Sequence, residues 1–245
     1  MAPSIVLATD FGLEGPYTGQ VKAVLYRVAP GVPVIDLFSD LAASNPRPAA
    51  YLLAAYSVWF APGTIFLGIV DPGVGGTRSA IVVDAAERWY VGPDNGLFEL
   101  VVRRAAGARI WDIASPDKPI SASFHGRDLF APAAGRLARG EAPAGPTRSG
   151  GLLPCRDWPD DLAEIVYIDR FGNAMTGLRA AVVPARARLS AGGRVFARQR
   201  VFSDVLPGEA FWYENANGLA EIAVNSGRAD ATLGLEVGTR VEILE

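Results

Sequence analysis

Along the first half of the chain, short apolar runs alternate with stretches whose apolar residues recur at helical spacing. Residues 4–9 (SIVLAT) form a run of strand length that stops at Asp10, Phe11 and Gly12, and such a run bounded by a turn predicts a strand. Pro16 then stands at a helix start, with Tyr17, Val21, Val24, Leu25 and Val28 at helical spacing behind it and Pro30-Gly31 closing the helix. Residues 32–37 predict a second strand, and residues 47–60 a helix closed by Pro62-Gly63. Residues 64–70 (TIFLGIV) are apolar throughout, as a central parallel strand is, and stop at Asp71, Pro72 and Gly73. Residues 80–84 and 88–91 predict further strands, and residues 129–139 a further helix. This alternation predicts an open, mostly parallel α/β sheet with helices on its faces.

The pattern changes beyond residue 140. Residues 140–159 (GEAPAGPTRSGGLLPCRDWP) are dense in Gly and Pro and predict a linker. After it, residues 162–168, 193–202, 218–224 and 239–244 read as strands with almost no long helical pattern between them. The expected organisation is an N-terminal α/β domain over 1–153 and a smaller C-terminal all-β, barrel-like domain over 160–245.

Composition narrows the classes of function. With 245 residues, half of them hydrophobic, and a net charge of −3, the chain suits one large or two modest globular domains. That charge provides no electrostatic footprint for nucleic acid or an anionic membrane. The longest apolar run, residues 51–60, falls short of the ~20 residues of a membrane span. The first residues lack the basic region of a secretory signal, so a cytoplasmic location is expected. Cys155 is the single cysteine and His125 the single histidine. No disulfide within the chain and no metal site is therefore expected.

In open α/β sheets ligands bind outside the carboxyl ends of strands, where Asp10, Asp71 and the Asp94-Asn95 pair fall. Each also reads as a turn cap, and for Asp94 the cap is the favoured reading. Asp10, followed by Gly12 and Gly15, suits a ribose, because a carboxylate accepts from both hydroxyls of a cis-diol. Residues 71–78 (DPGVGGTR) lack the Gly-Lys-Ser/Thr ending of a phosphate loop. Asp71 and Arg78 at its two ends read equally as a site pair and as a structural ion pair. His125 stands just before a helix, whose N-terminus favours neutral imidazole, and Gly126 beside it gives a ligand room. Residues 169–173 (DRFGN) present a carboxylate, an aromatic face and an amide in one turn. Residues 211–213 (FWY) and 225–227 (NSG) add aromatic surface and polar backbone suited to a purine, and core packing explains the aromatics equally well.

Five segments in order, residues 9–12 (TDFG), 70–75 (VDPGVG) with Arg78, 92–98 (GPDNGLF), 124–128 (FHGRD) and 169–173 (DRFGN), resemble the S-adenosylmethionine (SAM) hydroxide adenosyltransferase family, relatives of fluorinases and chlorinases. The resemblance implies hydrolysis of SAM to adenosine and L-methionine. It also implies no separate cofactor, and a homotrimer with SAM between the N-terminal domain of one subunit and the C-terminal domain of its neighbour. Asp71, Arg78 and His125 would then handle the water, Asp10 the ribose hydroxyls and Asp169 the methionine amine. Asn173, with Asn225, Ser226 and Gly227, would meet the adenine. The halogenating relatives carry Tyr, Thr and Ser where this chain has Asp71, Val74 and Gly126, which favours water over halide. Many members carry Asp and His where this chain has Gly15 and Ser39, and an aromatic near Ser44. The alternatives are a SAM-dependent halogenase and a non-catalytic SAM or adenosine-binding module.

Overall fold

In the computed structural model, residues 3–114, 116, 119–148 and 157–245 are described, and the chain divides into two compact units, Met1–Cys155 and Arg156–Glu245. The first contains β1 (Ile5–Thr9), α1 (Tyr17–Val28), β2 (Val34–Phe38), α2 (Pro46–Tyr56), β3 (Ile65–Ile69), β4 (Ala80–Ala85), β5 (Arg88–Pro93), α3 (Glu99–Arg104), β6 (Ala108–Asp112) and α4 (Ala131–Ala138). Its six strands lie in the order β2-β1-β3-β5-β4-β6. The pairs β2-β1, β1-β3 and β3-β5 are parallel. The pairs β5-β4 and β4-β6 are antiparallel. The change of direction is local in origin. Only Ala86 and Glu87 separate β4 from β5, both with positive φ (49° and 62°), and a two-residue turn of this kind closes a hairpin and cannot carry a crossover.

β1 and β3 are buried along their whole length because helices cover both faces. Ile5, Leu7, Ile65 and Leu67 face one way, against Val21 and Leu25 of α1 and Ala134 of α4. On the opposite face Phe66 stacks on its cross-strand neighbour Tyr90 at 5.2 Å between ring centroids. The helices α1 and α4 pack closely enough that a Cβ added at Gly135 would lie 2.7 Å from Val28 Cγ1. The short α3 and the edge strand β6 escape the sequence reading, since six residues make a weak helical period and β6 is largely exposed. Residues 144–148, expected to open the linker, instead run along β6. Asp112 N donates to Pro146 O (3.1 Å) and Arg148 N to Ile110 O (2.8 Å). Arg148 is also gripped by Asp94 (2.5 Å) and by Asp112. Residues 149–156, including Cys155, lie outside the described residues.

The second unit contains β7 (Leu162–Ile168), β8 (Ala174–Arg179), β9 (Arg188–Ala191), β10 (Arg194–Phe196), β11 (Ala210–Glu214), β12 (Leu219–Val224), α5 (Ala229–Leu233) and β13 (Val241–Leu244). They form two antiparallel sheets, β11-β12-β8-β7 and β10-β9-β13. Backbone bonds join the sheets at both edges: Ile165 N to Thr239 O (2.9 Å) and Gly238 N to Ile165 O (2.8 Å), then Trp212 N to Ala197 O (3.0 Å) and Gln199 N to Trp212 O (2.9 Å). The result is barrel-like, with Trp212, Phe196, Ile165 and Ile222 inside. Trp212 satisfies its indole N–H on Ala187 O (3.2 Å). The strand expected over 193–202 is confined to β10, after which the chain crosses toward β11. Among the described residues no helix is long and apolar enough to cross a membrane.

Because α1 and α4 meet at Gly135, the Gly135→Val variant is expected to lose about 1–3 kcal/mol of stability in urea denaturation. Adding Val28→Ala should recover part of that loss by restoring the space.

Candidate active site

The carboxyl ends of β1 and β3 open a cavity lined by Asp10, Phe11, Asp71, Val74, Phe124 and His125, among others. Asp10 follows β1 directly, and its Oδ2 accepts the Ser44 N–H at 2.9 Å. Ser44 is in the left-handed region (φ 56°), which aims that amide at the carboxylate. Burial raises the Asp10 carboxyl above its ordinary value; the Ser44 amide opposes this and the nearby Asp71 charge adds to it.

The loop after β3 folds back through Val74 N to Asp71 O (3.3 Å) and Gly76 N to Gly73 O (3.0 Å), returning Arg78 to Asp71. Arg78 Nε donates to Asp71 Oδ1 (2.8 Å), and Nη2 donates to Oδ2, a side-on fork. Both side chains are largely buried, at 5% exposure for Asp71 and 11% for Arg78, so solvent screens the pair little. Arg78 Nη2 also lies 2.9 Å from His125 Nδ1, and its guanidinium sits 5.1 Å over the Phe130 ring. Residues 71 and 78, at the two ends of one loop, thus form one hydrogen-bonded cluster with His125, distant in the chain.

His125 stands at the head of a single π-helical turn, Gly126–Phe130, closed by the Ala131 N–H donating to Gly126 O and continued by α4. Such turns are frequent at functional sites. A guanidinium has no acceptor, so the 2.9 Å contact makes Nδ1 the acceptor and leaves the proton of the neutral ring on Nε2. Burial lowers the His125 pKa below 6.5 and the Arg78 charge lowers it further; Asp71 and Asp128 oppose both. The imidazole is therefore neutral at pH 7 and offers an Nε2–H donor. Gly126 lines the cavity as well, and a Cβ there would lie 3.1 Å from Ile69 Cδ1 and 3.4 Å from Phe11 Cζ.

The remaining polar positions of this unit hold the frame. Asp94 pairs with Arg148 and is 1% exposed at its side chain. Asn95 Nδ2 donates to Val70 O (2.8 Å), pinning the residue that precedes Asp71. Phe11, Tyr17 and Phe124 meet with ring centroids 5.4–6.0 Å apart and make an aromatic wall. Among the described residues no group of three or more His, Cys, Asp or Glu side chains stands placed to hold a metal ion.

The second unit has its own cavity, of about 690 Å³, lined by Asp169, Asn173, Phe202, Tyr213, Ser226 and Gly227 with neighbouring residues. The turn at residues 169–173 closes on itself: Asp169 Oδ1 accepts Asn173 N (2.9 Å), and Oδ2 accepts Asn173 Nδ2 (3.1 Å). Asn225 is directed elsewhere, its Nδ2 donating to Val205 O (2.8 Å), and it shapes the turn carrying Ser226 (φ 56°). Sequence reasoning missed Phe202 and Glu221. Phe202 packs edge-on to Tyr213 at 5.3 Å. Glu221 is buried on β12 and accepts from Tyr213 Oη (2.5 Å) and Asn215 Nδ2 (2.8 Å). Burial raises its carboxyl above the ordinary value; the Tyr213 and Asn215 hydrogen bonds oppose this, and the Asp169 charge adds to it. A lone Glu inside the apolar run LAEIAV was the signal available.

Comparison with known proteins gives both units the same affiliation. The SAM hydroxide adenosyltransferase N-terminal domain matches residues 5–145, and the corresponding C-terminal domain matches residues 163–242. An (R)-S-adenosyl-L-methionine hydrolase of Thermus thermophilus is 40% identical over 98% of this chain and 99% of its own length. One of Salinispora tropica is 35% identical over 99% of both. Fluorinases are more distant: that of Nocardia brasiliensis is 21% identical over 56% of this chain and 55% of its own. The crystal structure of an uncharacterized conserved protein from Thermotoga maritima superposes with a TM-score of 0.87 at 32% identity, covering 98% of this chain and all of the other.

As the only histidine, His125 provides an unambiguous NMR signal for its surroundings. Its ring is expected to titrate below pH 6.5, at higher pH in Arg78→Ala, where a neighbouring cation is gone, and at lower pH in Asp71→Asn. Equal titration in all three proteins would contradict the cluster.

Proposed function

The chain belongs to the SAM hydroxide adenosyltransferase family, and we propose that it hydrolyses S-adenosyl-L-methionine to adenosine and L-methionine. Water attacks the ribose C5′, a C–O bond forms as the C5′–S bond breaks, and the electron pair of that bond neutralises the sulfonium as methionine leaves. The attacking oxygen passes one proton to the Asp71 carboxylate, which releases it to solvent. The observation that carries this reading is the Asp71–Arg78–His125 cluster, whose Asp71 and His125 line one cavity with Asp10.

Each side chain suits a distinct part of the task. The Asp71 oxygens accept from Arg78 and retain lone pairs for the hydrogens of a water molecule. Arg78 fixes the plane of that carboxylate. The His125 Nε2–H donates to the water oxygen and so orients it, a role the Nδ1 contact favours over proton abstraction by the ring. Water attacking a carbon becomes strongly acidic only as the C–O bond forms, so alignment matters more than basicity at the start. The charge of the sulfonium disappears along the reaction, so a pocket that excludes water disfavours the bound substrate relative to the transition state.

Asp10 binds the ribose hydroxyls, Asp169 the methionine amine, and Asn173, Ser226 and Gly227 the adenine; Asn225 acts through the turn that presents the last two. The working assembly is a cytoplasmic homotrimer, in which the N-terminal domain of one subunit and the C-terminal domain of the next share one substrate. The enzyme needs no cofactor beyond this substrate. A halogenating reading is disfavoured by Val74, and by Gly126, where a serine would press its Cβ on Ile69.

Incubation with SAM followed by chromatography is expected to release adenosine and methionine in equal amounts. Recovery of unchanged SAM would leave a non-catalytic binding module. Asp71→Asn should lower kcat by about 100- to 10,000-fold and His125→Ala by about 100-fold, with KM changed far less; a raised KM with unchanged kcat would assign either residue to binding alone. Molar chloride should yield no 5′-chloro-5′-deoxyadenosine. Sedimentation equilibrium is expected to give three copies of the 25.9 kDa chain.

A further inference from the structure

Glu221 is the one charged residue in the strand LAEIAV and is 2% exposed. Burying a carboxylate is costly where an apolar side chain of similar size would pack. Its neighbours Ala220, Ile222 and Val224 face the barrel interior with Trp212. Glu221 therefore faces the other side of the sheet, where its cross-strand partner is Tyr213.

With the carboxylate ionised, the hydrogen bonds around it run one way. Asn215 Oδ1 accepts two backbone amides, from Asn217 (2.9 Å) and Leu219 (3.1 Å), which fixes the flip of that amide. Asn215 Nδ2 must then donate to Glu221 Oε2 (2.8 Å). An ionised carboxylate only accepts, so in the 2.5 Å contact the Tyr213 O–H donates to Oε1. A phenol whose O–H is engaged in this way meets any further polar group as an acceptor. Tyr213 lines the C-terminal cavity with Phe202 and Asn173. Asn173 has its amide nitrogen turned to Asp169 (3.1 Å), so its Oδ1 is an acceptor as well.

We propose that Glu221 is a positioning residue that sets which purine this cavity accepts: by holding the Tyr213 proton it makes the Tyr213 oxygen an acceptor, matched to the exocyclic amine of adenine and opposed to the carbonyl of a 6-oxopurine. The rings of Tyr213 and Phe202 provide a face for the planar base. This inference rests on the reading above that the C-terminal cavity takes the adenine.

Isothermal titration of the full-length protein with adenosine and with inosine tests it. The wild type is expected to bind adenosine about tenfold or more tightly than inosine, the scale of one well-placed hydrogen bond. Glu221→Gln keeps the shape but lets the amide donate to Tyr213, and should shrink that preference to about threefold or less by weakening adenosine. Tyr213→Phe should do the same, and the double variant should lose no more than either single one, as coupled residues do. Additive losses, or an undiminished preference in both single variants, would overturn the proposal while leaving adenine binding intact. Absence of any adenosine binding by the wild type would overturn the adenine reading together with it. Should Glu221→Gln not fold, an undiminished preference in Tyr213→Phe, which keeps the ring and the carboxylate, is enough to overturn it.

Discussion

The bidentate pair between Asp71 and Arg78 is the contact on which the N-terminal site depends. It joins the end of β3 to the end of the loop that follows, so the seven-residue excursion closes on its own starting point. It also places one guanidinium nitrogen against His125. Since guanidinium never accepts, a single side chain dictates the plane of a carboxylate and the tautomer of an imidazole. Removing either partner leaves the other charge buried, and a buried charge without a partner is costly. The scaffold supports the pair from behind: Asn95 holds Val70, and Phe130 lies under the guanidinium.

A similar logic appears in the second unit on a different fold. There an ionised Glu221 only accepts, from Asn215, whose Oδ1 is committed to two backbone amides, and from Tyr213. In both units a polar group with only one possible role, guanidinium or carboxylate, removes the ambiguity of a neighbour that has two. Imidazole and phenol are the groups so constrained, and both line cavities. Chemistry that depends on where a proton sits needs this kind of constraint, because either group turned the other way presents the opposite polarity to a ligand.

Much of this was legible along the chain, and the misses have physical reasons. The strands at residues 4–9 and 64–70 were visible because burial on both faces demands continuous apolar runs, and α1 because a single stripe of Tyr17, Val21, Val24, Leu25 and Val28 meets the sheet. The edge strand β6 was not, since an exposed edge has no apolar demand to satisfy. Strands β8, β9 and β11 were missed for another reason: a small barrel closes with short strands, and Phe211-Trp212-Tyr213 sends one aromatic inward and two to the other face. Of the candidate site residues, Asp10, Asp71 and His125 line one cavity, with Arg78 bonded to the last two, and Asp169, Asn173, Ser226 and Gly227 line another. Asn225 serves the turn, and Asp94 an ion pair with Arg148.

By itself the sequence determined what depends on near neighbours: which segments are strands or helices, where strands end in carboxylates, and which residue types are present to do chemistry. Those properties follow from hydrophobic period and turn geometry, which operate within about a dozen residues. Only the tertiary structure decided that Arg78 meets His125, that Asp94 is spent on Arg148, and that Glu221 accepts a hydrogen bond from Tyr213. Each of these is a contact between segments brought together by sheet order and register. Its direction is set by which partner lacks an acceptor or already has its donors engaged, a property of the assembled neighbourhood that no local stretch of chain contains.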